Sequence, residues 1–267
     1  MPAPYTHYAV AKETFARLPH TLQKTLLPHL PLYFFGSQGA DFCFFYPTRT
    51  RNKMNLGRTL HRKGYEFFRI LSLFSETDEK ALSYALGYIT HYATDTTFHP
   101  FVYYLSGKSL RKHSQVESAL DGYLRHVNEH GVRHDPFSAY LRPSLKEEEL
   151  DTVFLFYSAY ATVNSYLPLT KPTFKKSVFA FNAYTGISLR VFGRKRLRVP
   201  ISVLTNAEKK VWQNPKAPFR QSTDGTDELF EKSVKRAVEY IQQFQTAVAQ
   251  KKAPPKESFS KSFLSGI

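Results

Sequence analysis

His91, Asp95 and His99 stand at i, i+4 and i+8 in a stretch that also holds Gly87, Tyr88, Ile89 and Phe98. On a helix of 3.6 residues per turn that spacing drifts by only about 80°, so the three side chains share one face. The neighbours read as a buried helix. A buried row of His and Asp is too costly to persist unless a metal ion or hydrogen-bond partners compensate it. A chain carrying this segment must therefore fold so that other polar groups, or an ion, meet the row.

His113, Glu117 and Asp121 repeat the spacing, and His126, His130 and His134 form a third row. Four of the ten His have an acid or His four residues ahead, where composition alone gives roughly one. Side chains at i and i+4 chelate one ion without bending the backbone. Imidazole with carboxylate, and no thiolate, suits zinc in a hydrolytic site. The alternative for each row is a solvated, salt-bridged face. That reading is preferred for 126–134, where Gly131 ends the helix among charged neighbours.

The surrounding pattern is helical, and the expected class is all-α with one principal core. Helical spacing runs over 6–29, ended by Pro28 and Pro31, and a Gly-containing aromatic loop follows at 34–42. Further helices are expected over 56–74, 78–97 (Ser75 and Thr77 capping, Pro100 bounding or kinking), 109–129, 144–166 and 226–250. Residues 1–165 would form a helical metal-binding core and 166–225 a basic, partly irregular segment. The 226–250 helix would pack on the core, and 251–267 would be a disordered tail.

The chain carries 37 Lys and Arg against 22 Asp and Glu, a net charge of +15. Twelve of those cations and one acid, Glu208, fall within 171–220. Such charge draws polyanions, either nucleic acid or an anionic membrane surface. The single Cys43 excludes an internal disulfide and reads as a buried thiol. No apolar run is long enough for a transmembrane segment, and no export signal opens the chain. The expected location is cytoplasmic, peripheral at a membrane where the basic charge meets lipid.

One ordered pattern is more specific. It runs from Thr6-His7-Tyr8-Ala9, through Gly36-x-x-Gly39-Ala40-Asp41 and His61, to Gly87-Tyr88-x-x-His91-x3-Asp95-x3-His99-Pro100 and His113-x3-Glu117-x3-Asp121. Over about 5–125 it resembles the zinc-dependent phospholipase C family, related to the single-strand-specific zinc nucleases. That resemblance implies a multi-helical fold around two or three Zn2+ ions. Asp41, His61, His91 and Asp95 would hold one ion, and His99, His113 and Glu117 a second. His7 and a bridging Asp95 would hold a third. Asp121 matches no ligand and is expected to orient one of the imidazoles by accepting its outer N–H, with an ordinary helix salt bridge as the equal alternative. Two departures stand out: Ala40 replaces the family's usual Pro, and the N-terminal Trp of secreted relatives is missing. Trimming of Met1 would leave the Pro2 amine to close the third site.

Phosphodiesters resist hydrolysis because their charge repels nucleophiles and the leaving alkoxide is poor. Clustered zinc addresses both. Asp41 is the expected catalytic base, since a carboxylate ligand can also hydrogen-bond the attacking water. Phe42, Phe44, Phe45 and Tyr46 would line a substrate pocket, with core packing as the alternative. The leading expectation is a phospholipase C-like hydrolase acting on a phospholipid or another phosphodiester. A single-strand nuclease would instead use Phe181, Tyr184, Phe192 and Trp212 among the basic residues. A third reading is a non-catalytic, metal-stabilised binding protein.

Overall fold

A computed structural model describes residues 4–46, 55–107, 109–129, 145–164, 169–192 and 225–266. Every regular element among the described residues is helical, in keeping with the all-α expectation. The longest, α6 (Glu79–Ser106), lies at the centre of the molecule. It is buried on every side from Ser83 to His99, apolar except for its Ser and Thr residues and the face that carries His91, Asp95 and His99. Around it pack α1 (Pro4–Arg17), α3 (Leu30–Gly36), α5 (Tyr65–Ser75), α7 (Leu110–Glu129) and α10 (Thr226–Ala249). The side chain of Asp78 caps α6, accepting from Lys80 N at 2.8 Å. The cap thus falls one residue beyond the expected Ser75 and Thr77. Pro100 lies inside α6, which continues past it.

The α3–α6 contact depends on two glycines. A methyl on Gly87 would overlap the Tyr33 carbonyl, and one on Gly36 the Tyr84 carbonyl. The two backbones therefore approach more closely than any larger residue permits. This approach brings the segment after α3 against the polar row of α6. Gly39 there has a φ of 58°, a left-handed turn that delivers Asp41, the first residue of a 3-10 helix (Asp41–Phe45).

Several expected helices are divided. The first breaks near Pro19 into α1 and α2 (His20–Leu26), followed by a 3-10 turn with Pro28 at its start. Pro31 begins α3 instead of ending a helix, because a first-turn position needs no N–H donor. The 56–74 segment divides at Lys63 and Gly64 into α4 (Leu56–Arg62) and α5. The acidic start of α8 (Glu147–Val163) is as expected.

Two expected irregular regions are ordered. Residues Lys171–Phe192 form α9, and Phe174, Val178 and Phe181 are buried against the core. Lys171 and Lys175 pair with Glu147, and Lys171 also meets Asp151. This end of the basic segment is therefore partly neutralised within the chain. The expected disordered tail is instead part of the core: it holds a turn of helix, α11 (Lys256–Phe259), and Phe259 and Phe263 are fully buried. Burial of two Phe side chains is worth about 1.5–3 kcal/mol each, enough to fix a segment that is otherwise Lys- and Ser-rich. No helix among the described residues is long and apolar enough to cross a membrane.

Candidate metal centre

All eight expected ligands converge, and each is at most 8 % exposed. Helix α6 supplies His91, Asp95 and His99 from one face. His7 comes from α1, Asp41 from the 3-10 turn, His61 from the last turn of α4, and His113 and Glu117 from α7. Three triads of donor atoms result: His7, His91 and Asp95; Asp41, His61 and His91; and His99, His113 and Glu117. Within each triad the donor atoms lie within 4.8 Å of one another.

Asp95 links the triads. Its Oδ1 lies 3.4 Å from His7 Nε2 and 3.6 Å from His99 Nδ1. Its Oδ2 lies 3.3 Å from His91 Nε2 and 3.5 Å from His61 Nε2. His61 Nε2 is 3.2 Å from Asp41 Oδ1, and His91 Nε2 is 3.4 Å from His61 Nε2. On the other side, Glu117 Oε1 lies 2.7 Å from His113 Nε2 and 3.6 Å from His99 Nε2. Two donors bonded tetrahedrally to one zinc at about 2.0–2.1 Å stand roughly 3.3 Å apart. Most separations here cluster about that value, which is longer than an aligned hydrogen bond.

The pattern of unmet hydrogen bonds agrees. Both ring nitrogens of His7, Nδ1 of His91 and of His113, and an oxygen each of Asp41, Asp95 and Glu117 are buried without an aligned hydrogen bond among the described residues. Buried polar atoms are ordinarily partnered, so the orphaned His7 Nε2 and the carboxylate oxygens of Asp41, Asp95 and Glu117, whose neighbours are the other candidate ligands, fit a metal centre. A cavity of about 20 Å3 lies beside Asp95, His99 and Glu117, its wall mostly apolar through Phe98, Val102 and Leu120, with Thr6 and Thr94 completing it.

Charge among these side chains reflects the same crowding. Burial opposes the charge of Asp95, yet His91 and His99 outweigh it and hold its carboxyl well below the usual range. Asp41 is lowered likewise, burial being outweighed by His61 and His91. Burial also disfavours a charged His99, but Asp95 and Glu117 raise it to about 9. His7 is pushed down to about 3 by burial and by its neighbour His91, on which its ring stacks at 4.3 Å.

A family model described as zinc dependent phospholipase C matches residues 6–184. The chain belongs to this family. The match spans more than half of the chain and contains all eight candidate ligands. Comparison with curated proteins and with solved structures returned no match. Membership brings zinc dependence and implies hydrolysis, and this family member offers several His/Asp/Glu groups able to hold the metal.

Around the ligands, two expectations change. Asp121 orients no imidazole. It accepts from Tyr5 N at 3.0 Å, Thr6 N at 2.7 Å and Thr6 Oγ1 at 2.5 Å, and so pins the first turn of the helix that carries His7. Phe42 is not a pocket residue, because it is 1 % exposed and packs against Phe35, Tyr157 and Phe174. Phe45 is partly buried and meets Phe181 at 6.1 Å, on the core side. Phe44 instead lies beside the ligands, 37 % exposed and 5.2 Å from the His61 ring.

Sequence reasoning also missed Tyr103, whose ring lies 4.7 Å from His113 and 5.8 Å from His99. Extending the i+4 row beyond His99 would have reached it. Two main-chain carbonyls set imidazole orientation: Gly57 O with His61 Nδ1 at 2.7 Å, and Phe263 O with His99 Nδ1 at 2.8 Å. The first is an i−4 carbonyl on the same helix, visible from spacing. The second carried no sequence signal. His130 and His134 and the Pro2 amine lie outside the described residues.

Proposed function

We propose that this chain is a zinc-dependent phospholipase C that cleaves the glycerol–phosphate bond of a phospholipid. The observation that carries the proposal is the convergence of His7, Asp41, His61, His91, Asp95, His99, His113 and Glu117, with Asp95 turning one oxygen to each side. These residues would hold two or three ions: Asp41, His61 and His91 with Asp95; His99, His113 and Glu117; and His7 with the far side of Asp95. Zinc bound there supplies neutralisation of the phosphate charge and acidification of water.

The remaining chemistry belongs to side chains. Asp41 is the base we assign, its Oδ1 buried beside His61 and without an aligned partner, so it can accept the proton of the attacking water. His99 and His113 face the opposite end of the centre, where the leaving oxygen would sit. Phe44 and Tyr103 flank the ligands, and Tyr104 and Leu110, on the two helices that carry His99 and His113, are each 84 % exposed. Arg58 and Arg62 are exposed on α4, the helix that carries His61. Aromatic and aliphatic groups beside cations suit a lipid interface and its phosphate.

The nuclease reading is weaker at one point. Phe181, an expected base-stacking residue, is 3 % exposed, while the Tyr184 and Phe192 side chains and Trp212 lie outside the described residues. Lys171 and Lys175 of the basic 171–220 segment are paired internally, and residues 193–220 lie outside the described residues.

Zinc-loaded protein is given phosphatidylcholine vesicles, anionic vesicles, single-stranded DNA and a chromogenic phosphodiester. Release of phosphorylated headgroup and diacylglycerol is expected, reduced about 10²–10⁴-fold in Asp41→Asn. Nucleotide release without lipid cleavage would establish the nuclease. Inertness towards all four, with folding lost on chelation, would leave a structural metal protein.

A further inference from the structure

The family match ends at residue 184, yet the last residues of the chain reach into the metal centre. Phe263 contacts two ligand helices through its main chain. Its N–H donates to His61 O at 3.0 Å, and its carbonyl accepts from His99 Nδ1 at 2.8 Å. His61 stands in the last turn of α4, which ends at Arg62, so its carbonyl has no donor within its own helix. A carbonyl oxygen only accepts, so the proton must sit on Nδ1 of His99. In the neutral ring that a metal ligand must be, the Nε2 lone pair then faces Glu117, with which His113 completes the triad.

We propose that segment 256–266 is a working part of the metal centre, in which the Phe263 peptide groups position His99 and tie it to the helix carrying His61. One residue thereby fixes the spacing between the Asp41/His61/His91 and His99/His113/Glu117 triads. The two imidazoles differ in dependence on it. His61 has its Nδ1 held by Gly57 within its own helix, whereas the Nδ1 proton of His99 is held by this segment.

The segment is anchored well enough for this role. Phe259 and Phe263 are fully buried, and the Phe263 ring lies 4.7 Å from Tyr92 and 5.2 Å from His61. The Tyr92 hydroxyl donates to Ser258 O at 2.9 Å and accepts from Lys261 N at 3.0 Å. At the far end, Gly266 has a φ of 71°, and its backbone packs against the Thr96 carbonyl, where a side chain would intrude. Pro100 offers that carbonyl no N–H, which leaves space on α6 for the segment to settle. Outer groups that orient a ligating imidazole typically change metal affinity 10–100-fold.

The inference rests on reading the triads as metal sites, and the test separates the two. Metal-free full-length protein is titrated with Co2+, whose absorption reports each imidazole centre, and melted with and without metal. Three variants are compared: deletion of 256–267, full-length Phe263→Pro, which removes the N–H to His61, and Phe263→Leu, which keeps the main chain. One Co2+ equivalent, that of the His99 triad, is expected to bind roughly 10–100-fold more weakly in the deletion and in F263P. The other equivalents and F263L should keep wild-type affinity. Should the deletion lose its helical circular dichroism, F263P decides. Unchanged affinity in F263P, or equal weakening in F263L, overturns the proposal, because the segment would then be only a plug of the core. Wild type that takes up no Co2+ refutes the metal reading itself.

Discussion

Replacing Asp121 by Ala tests how the fold holds His7 in place. The side chain accepts from two main-chain N–H groups and a hydroxyl, on residues that are 2 % and 5 % exposed. Water cannot take over there. Each orphaned buried N–H costs about 1–3 kcal/mol, so the two together give roughly 2–6 kcal/mol, while the Thr6 hydroxyl can rotate. Against this stands the cost of burying a carboxylate. Burial lifts Asp121 from 3.8 to about 7, despite the hydrogen bonds from Thr6 and Tyr5. With the folded value above the unfolded one, the group stabilises the fold fully below about pH 4. That contribution falls as pH rises through about 7, by up to ~4 kcal/mol at about 1.4 kcal/mol per unit. Urea melts of chelated wild type and Asp121→Ala should therefore differ by several kcal/mol near about pH 5 and by less near about pH 8. A loss below about 1 kcal/mol in acid, or one that grows with pH, would refute this account of Asp121.

Gly39→Ala should damage both fold and metal uptake. A φ of 58° costs a residue with Cβ about 1–2 kcal/mol, and the new methyl would overlap the His91 ring, so lower zinc content and a lower Tm are expected. Chelation should lower the Tm as well. Zinc held at a thousandfold above its Kd contributes about 4 kcal/mol per site, or roughly 8–16 °C for a domain of this size, reversible on returning zinc but not magnesium. A melting curve indifferent to chelator would contradict the orphaned donors.

The sequence determined the class of fold and the candidate donor set. The His91/Asp95/His99 and His113/Glu117 rows are i, i+4 spacings within single helices, where local geometry alone places side chains together. The burial of α6 could likewise be read from its run of apolar neighbours. His7, Asp41 and His61 were found only through the ordered family pattern, since no local rule joins residues so far apart in the chain. What tertiary structure decided is everything that depends on approach between helices. Asp121 lies in helical register with Glu117, yet its carboxylate meets the start of α1, because packing turned that face of α7 towards Tyr5 and Thr6. Phe42 and Phe44, two residues apart, fall on opposite sides, one in the core and one beside His61. The C-terminal segment is composed like a disordered tail, yet two buried Phe rings fix it beside the centre. Its contacts with His61 and His99 are made by main-chain groups that every residue type carries, so no sequence pattern could announce them.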